Sequence, residues 1–263
     1  MPRRSRLDAE LVRRGLARSR EHAVELITEG RVAVAGQAAT KPATGVDPAT
    51  PVVVRTDPDE QRWVSRGAHK LLGALAAFPV DVAGRRALDA GASTGGFTEV
   101  LLSRGAREVV AVDVGYGQLV WRLRNDDRVQ VHDRTNVRAL TPDDIGGPVD
   151  LTVADLSFIS LRTVLPALAA CTDGLVLPMV KPQFEVGRER LGSGGVVRDP
   201  ALRLDALTGV AQAARALGLV VRSAAASPLP GPSGNVEYFL LLARAGTDVG
   251  DAALAAAVEA GPA

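Results

Sequence analysis

Four charged residues stand at the edges of apolar segments in this sequence. They are Lys70 in Gly67-Ala68-His69-Lys70, Asp155 in Ala154-Asp155-Leu156-Ser157, Lys181 in Lys181-Pro182-Gln183-Phe184-Glu185, and Glu237 in Gly234-Asn235-Val236-Glu237-Tyr238. Charges placed there are costly unless they are paired or put to use. Two lysines with two carboxylates suit methyl transfer to an alcohol, in which a poor nucleophile loses its proton as it attacks in line. A lysine beside other cations, or partly removed from water, gives up its proton more readily, and its free amine can serve as base. Lys181 is assigned that role, Lys70 holds the hydroxyl, and Asp155 and Glu237 orient the lysines. A base contributes ~100- to 10,000-fold and positioning a further ~7 to 11 kcal/mol, so positioning is the larger effect. One such Lys and Asp alone would read as a surface salt bridge; four on one rim reverse that preference.

A second signal is a glycine-rich turn. Leu88-Asp89-Ala90-Gly91-Ala92-Ser93-Thr94-Gly95-Gly96-Phe97 reads as a strand that runs into a turn and then a helix beginning near Phe97. Glycines let the backbone approach a ligand, and a helix start offers unpaired N–H groups. The spacing Gly91, Ser93, Gly95, Gly96 differs from the Gly-x-Gly-x-x-Gly of nicotinamide enzymes. Asp89, just before the turn, would repel a pyrophosphate but can receive the amine of S-adenosyl-L-methionine. Asp113 at the next strand end suits ribose hydroxyls, Asp133 at the third suits the adenine amino group, and Asp155 closes the fourth. Any one strand-end acid is as readily the cap of a helix. Together with Gly91, Ala92, Ser93, Thr94, Gly95, Gly96 and Phe97, the acids fit a cationic sulfonium cofactor.

These residues need a scaffold that brings strand ends to one rim. From residue 66 onward a helix is followed by alternating strand and helix patterns, with strands near 86–90, 108–113, 129–133, 149–155, 174–180, 219–225 and 237–243. The alternation predicts an α/β fold, a parallel, doubly wound, Rossmann-like sheet of seven strands covered on both faces. The first 45 residues predict two short helices, with Leu7, Leu11 and Val12 on one face and then Ala23, Leu26 and Ile27 on another. Ser19 is placed as N-cap and Gly30 as helix stop. A hairpin follows over 31–37 and turns at Ala35-Gly36. The Pro-, Thr- and Asp-rich stretch 42–60 ends this small α+β unit. The domains are drawn as 1–59, a linker 60–65, and 66–263; the Ala-rich tail after Gly246 reads as a terminal helix.

Composition narrows the partners. A chain of 263 residues, 46% hydrophobic and 23% charged, can build one large core and one small unit. The net charge of +1 hides an asymmetry, because residues 1–41 hold nine Lys or Arg against five carboxylates. That segment predicts phosphate contacts that mostly do not read sequence. Arg3, Arg4, Arg6, Arg18, Arg20 and Lys41, at loop and first-turn positions, are the candidates, whereas Arg13 and Arg31 read as a solvated helix face. With aromatics at 3%, a stacking platform for single-stranded RNA is not expected. Cys171 is the only cysteine, and His22, His69 and His132 are too scattered for a metal site. A reducing cytoplasm is the expected location. No apolar stretch reaches the ~20 residues of a membrane helix, and the Arg-rich start runs into Leu7-Asp8-Ala9-Glu10 rather than a leader's apolar core.

These residues resemble a known family. Lys70, Asp155, Lys181 and Glu237 look like the Lys-Asp-Lys-Glu tetrad of the FtsJ-type ribose 2'-O-methyltransferases. Arg6-Leu7-Asp8, Arg14-Gly15-Leu16-Ala17-Arg18-Ser19-Arg20, Gly30-Arg31-Val32 and Lys41-Pro42 resemble the RNA-binding domain named after the small-subunit ribosomal protein S-four. The two together are similar to the TlyA family, and the match runs on through Val64-Ser65-Arg66-Gly67-Ala68-His69-Lys70-Leu71 and residues 91–97, 154–161 and 228–237. The resemblance implies 2'-O-methylation of cytidine in small-subunit and often large-subunit ribosomal RNA, on assembled particles; the sequence makes no obligate protein partner evident. It also implies why such proteins often carry the name haemolysin, a label to which this sequence lends no membrane span. TlyA relatives resemble Arg-any-Trp-Val at the domain junction. Gln61-Arg62-Trp63-Val64 departs at the first position, so Trp63 alone is carried over, either as a coupler of linker to cofactor pocket or as plain packing.

Rival readings each lack a feature. A pseudouridine synthase with the same N-terminal module needs a catalytic aspartate on a β-rich domain. A base N-methyltransferase shows Asn or Asp-Pro-Pro-Tyr or Phe after the fourth strand, where this chain reads Asp155-Leu156-Ser157-Phe158. A cytosine C5 enzyme needs a nucleophilic cysteine, and Cys171 lies in an apolar stretch. A ribosomal RNA-binding assembly factor or a membrane-active haemolysin, without methyl transfer, is the non-enzymatic alternative.

Overall fold

The computed structural model describes residues 4–17, 19–55 and 63–261. The chain divides into two units, Met1–Arg62 and Trp63–Ala263. In the first, β1 (Ser5–Arg6) leads into α1 (Leu7–Arg13), followed by α2 (Arg20–Thr28), β2 (Val32–Val34), β3 (Gln37–Ala38), β4 (Gly45–Val46) and β5 (Val52–Val54). β2 pairs antiparallel with both β3 and β5, and β1 with β4. The Ser19 hydroxyl accepts from the His22 N–H and caps α2. Ala35 and Gly36 both take positive φ, which suits a tight hairpin between right-twisted strands.

The core of this unit, with Leu7, Leu11, Leu26, Ile27 and Val32 buried, is small. Polar anchoring supplements it. Glu10, fully buried, accepts from Arg13 and Arg14, and Arg14 also donates to the carbonyls of Asp47, Pro48 and Thr50. Strands β4 and β5 lie in the stretch that the sequence marked only by its Pro, Thr and Asp content; pairing with β1 and β2 makes them strands. Of the expected linker, residues 60–62 lie outside the described residues, while Trp63 and Val64 pack against the core of the second unit.

That unit opens with α3 (Gly67–Ala77) and continues through β6 (Arg86–Ala90), α4 (Gly96–Ser103), β7 (Glu108–Val112), α5 (Trp121–Arg124), β8 (Val129–His132) and β9 (Val149–Ala154). It ends with α6 (Leu161–Ala170), β10 (Thr172–Val180), α7 (Pro182–Glu185), α8 (Pro200–Ala216), β11 (Val220–Ala226), β12 (Tyr238–Ala243) and α9 (Gly250–Glu259). Seven strands form one sheet in the order β11-β12-β10-β9-β6-β7-β8. Strand residues alternate between two cores. Leu88, Val110 and Val112 pack with Leu165, Leu168 and Leu207, whereas Ala87, Val109 and Leu151 pack with Leu71, Val100 and Leu101. Burial on both faces explains why the strands read as continuous apolar runs.

The doubly wound, seven-stranded reading holds with one correction: the sheet is mixed. β6 to β10 are parallel, but β12 runs antiparallel to both β10 and β11. Residues 227–237 join β11 to β12 without a helix, and strands joined without a crossover helix pair antiparallel. The reversal brings the start of β12 to the rim where the parallel strands end. Among the described residues no helix is long and apolar enough to cross a membrane.

The β9–β10 register shifts between Thr172 and Leu175, and Gly174 sits at that shift. A Cβ there would stand 2.0 Å from the Asp150 carbonyl oxygen. Backbone cannot swing aside as a flexible side chain can, so Gly174→Ala should destabilise the second unit by about 1–3 kcal/mol. A urea midpoint equal to that of the wild type would show that the strand absorbs the methyl without strain.

Candidate active site

The glycine turn follows β6. Gly91 takes φ +89°, and a Cβ on it would stand 2.5 Å from the Asp155 carbonyl oxygen, so the turn meets the end of β9 backbone to backbone. The Asp155 N–H donates to the Ala90 carbonyl at 3.0 Å and completes the join. Ala92 and Phe97 are buried, Ser93 and Thr94 are exposed, and Gly95, with φ +104°, precedes α4 at Gly96.

The three acids at the neighbouring strand ends differ in what holds them. Asp113 accepts from the backbone N–H of Ser93 at 2.8 Å and of Gly115 at 2.7 Å, pinning the turn to the loop after β7. Asp133 lies 2.6 Å from Arg124 and accepts from the Gly117 N–H at 3.3 Å. The Arg124 hydrogen bond holds its carboxyl below the usual range against a small cost of burial. Asp89 is fully buried; Thr98 Oγ1 donates to its Oδ2 at 2.7 Å, and Oδ1 has no hydrogen-bond partner among the described residues. Burial pushes this carboxyl up to about 7, partly offset by Thr98 and reinforced by the charges of Asp155 and Asp113.

Asp155 follows β9, Lys181 follows β10, Glu237 precedes β12, and Lys70 lies near the start of α3. Val180 faces Tyr238 in the β10–β12 pair, so Lys181 and Glu237 are neighbours on the rim. The four residues form two ion pairs. Lys70 Nζ donates to Glu237 Oε2 at 2.5 Å, with the residues 6% and 1% exposed. Lys181 Nζ lies 2.6 Å from Asp155 Oδ1 and donates to Ser157 Oγ at 3.0 Å, while Asp155 Oδ1 accepts no hydrogen bond of regular geometry among the described residues. Ion pairs removed from water are weak contributors to stability, so the buried Lys70–Glu237 pair and the half-buried Lys181–Asp155 pair beside the glycine turn are a feature of chemistry more than of folding.

Other residues at this rim are not obvious from sequence. Glu99 on α4 accepts from the Val64 N–H at 2.7 Å and meets Arg122 of α5 at 2.6 Å, tying the start of the unit to the turn helix. Trp63 packs on the same core. Phe158 has φ +64° and is 91% exposed, its ring 5.3 Å from that of Phe184. A non-glycine residue in that region is strained. Tyr116, with the Arg134 guanidinium 4.3 Å from its ring centre, and Trp121 are also exposed. The aromatics are few, yet these three present their rings to solvent, which qualifies the expectation drawn from composition. Cys171 is buried, which raises its thiol to about 11, unfavourable for a nucleophile.

In the first unit Arg4 lies 3.5 Å from Asp47, Arg6 and Arg20 meet on Asp8, and Lys41 is exposed. Arg3 and Arg18 lie outside the described residues.

The family model of the FtsJ-like methyltransferases matches residues 63–244, and that of the S4 domain matches residues 5–52. The 16S/23S rRNA (cytidine-2'-O)-methyltransferase TlyA of Mycobacterium tuberculosis is 65% identical over 244 residues, 92% of this chain and 91% of that protein. Hemolysin A of Brachyspira hyodysenteriae is 34% identical over 236 residues, 89% of this chain and 97% of that protein. A solved structure from Streptococcus thermophilus that carries a hemolysin name gives a TM-score of 0.78 at 37% identity and covers 98% of this chain and 96% of that one.

The raised Asp89 carboxyl sets a pH dependence. Below about pH 4 the group is protonated folded or unfolded and contributes no difference. From there to about 7 the folded protein keeps a proton that the unfolded chain releases, so stability falls as pH rises, and above that window the loss is complete. Asp89→Asn should therefore gain thermal stability over the ligand-free wild type at about pH 8 but not at about pH 4. A difference between the two proteins that does not change with pH would refute the assignment.

Proposed function

We infer that this chain, which belongs to the FtsJ-like methyltransferase family and within it to the TlyA proteins, transfers a methyl group from S-adenosyl-L-methionine to a ribose 2'-hydroxyl of ribosomal RNA. The observation that carries the reading is the pair of lysine–carboxylate bridges, Lys70–Glu237 and Lys181–Asp155, on the rim that the glycine turn also reaches through Gly91 and Asp155. The names of the relatives point to cytidine in 16S or 23S rRNA, and the basic first unit suits a helical RNA within an assembled subunit.

The donor set fits the cofactor. Asp89 Oδ1 is a buried acceptor without a hydrogen-bond donor among the described residues, which an amino group would satisfy, and the turn leaves Ser93 and Thr94 exposed. Asp113 and Asp133 keep spare lone pairs for ribose hydroxyls and the adenine amino group. When bound, S-adenosyl-L-methionine supplies an electrophilic methyl on a sulfonium centre. As the 2'-hydroxyl attacks, its proton passes to Lys181, which enters the step as the free amine, and Asp155, 2.6 Å away, stabilises the ammonium that forms. Lys70, steadied by Glu237, donates to the hydroxyl oxygen and keeps it in line.

Tritiated-methyl transfer to isolated ribosomal subunits, with mapping of the modified nucleotide, tests this reading. Lys181→Ala and Asp155→Ala should fold normally and lose at least ~100-fold in rate. Near wild-type turnover by folded Lys181→Ala would remove the mechanism, and a methyl group mapped to a base would remove the ribose assignment. The junction gives a second test. Trp63→Ala and Glu99→Ala each loosen residues 63–64 from α4 and should weaken cofactor binding by roughly tenfold while ribosome binding stays nearly constant. Equal loss in both assays would reduce the junction to ordinary packing.

A further inference from the structure

One carboxylate in the first unit holds two of its arginines. Asp8 is 2% exposed. Its Oδ1 accepts from Arg6 Nε at 3.1 Å, and its Oδ2 accepts from Arg6 Nη2 at 3.0 Å and from Arg20 Nη2 at 2.8 Å. The Ala9 N–H adds a fourth bond at 2.8 Å. Arg6 comes from β1 and Arg20 from the start of α2, so the carboxylate joins two elements that are separate in sequence. Both arginine side chains nevertheless remain more than half exposed, at 53% and 62%. The Asp8 backbone N–H donates to the Pro42 carbonyl at 3.1 Å and so draws the Lys41-Pro42 segment alongside.

We propose that Asp8 is a positioning residue that locks Arg6 and Arg20 side by side as a single receptor for an RNA backbone phosphate. A guanidinium carries five N–H donors in a rigid fork. Arg6 directs two nitrogens and Arg20 one to Asp8, so each keeps donors for a second anion. Free arginines would lose rotamer entropy on gripping a phosphate, and ordering them beforehand removes much of that cost. Asp8 also offsets the repulsion between the two cations while leaving the cluster net positive. Arg14 is a contrast: it is directed into Glu10 and three backbone carbonyls, so it braces the unit instead of facing a ligand.

This inference rests on the reading of the first unit as the part that docks on RNA, and it opposes simple charge counting. Asp8→Asn removes a negative charge, so bulk electrostatics predicts tighter binding of RNA, whereas loss of the clamp predicts weaker binding. Equilibrium binding of the full chain to isolated ribosomal subunits, without cofactor and over a series of salt concentrations, decides between them. Asp8→Asn should weaken binding about tenfold and lower the salt slope by about 1. In an Arg6→Gln/Arg20→Gln background the same change should have no further effect, because Asp8 acts only through those side chains. Binding by Asp8→Asn as tight as wild type, or tighter, overturns the proposal. An equal loss in both backgrounds also overturns it, since Asp8 would then merely support the fold. A wild-type chain that binds subunits but leaves them unmethylated would remove the methyl-transfer reading and leave the clamp standing; one that binds no subunits removes the clamp.

Discussion

Lys70 and Glu237 lie 167 residues apart along the chain and 2.5 Å apart in space, both almost out of reach of water. Taking an ammonium and a carboxylate out of solvent costs several kcal/mol per ion, and only close pairing recovers it. The fold must therefore deliver two distant segments to one point. α3 has to dock before the first strand of the sheet begins, and β12 has to start where β10 ends. Antiparallel insertion of β12 meets the second condition, with Val180 opposite Tyr238. Were β12 parallel to β10, Glu237 would stand at the opposite rim and leave a buried lysine without a counterion. Gly91 against Asp155, and Asp155 against Lys181, then carry the same rim across to the glycine turn.

Charge is divided along that rim. Acids gather on the side of the turn, where burial raises the Asp89 carboxyl to about 7, while Asp113 and Asp133 fasten loops through backbone N–H groups. The lysines lie on the other side of Asp155. Asp155 belongs to both sets: its backbone closes on Ala90 and its side chain meets Lys181. A side-chain substitution at this residue would release Lys181 and keep the backbone join to the turn.

Much of this was legible in the sequence because local rules governed it. Alternating apolar runs located seven strands to within two residues, Ser19 and Gly30 marked the ends of α2, and the glycine turn announced itself by composition. What escaped depends on who pairs with whom. The direction of β12 follows from its connection and not from its own residues, and β5 is a strand because β2 lies beside it. Glu99 looks like an ordinary first-turn acid of a helix, which is where such residues stabilise the dipole; only the fold shows that Val64 and Arg122 share it. Phe158 was visible only as a mismatch to another enzyme's motif, since neither its exposure nor its backbone conformation is encoded locally.

The first unit shows why counting charges is a poor guide to binding. Nine basic residues against five acids in residues 1–41 suggest a broadly positive surface. Two of those acids, Asp8 and Glu10, are buried, and each carboxyl is drawn down to about 2 by hydrogen bonds from arginines, so both stay ionised across the physiological range. Arg13 and Arg14 close on Glu10, and Arg4 lies near Asp47. The acids thus do more than lower the total: Glu10 turns Arg14 inward, where it braces the segment 47–50, while Asp8 holds Arg6 and Arg20 with most of their surface outward. Affinity for a polyanion depends on how many phosphates are met at once, and that number is set by which cations a buried carboxylate fixes outward, not by how many the segment contains.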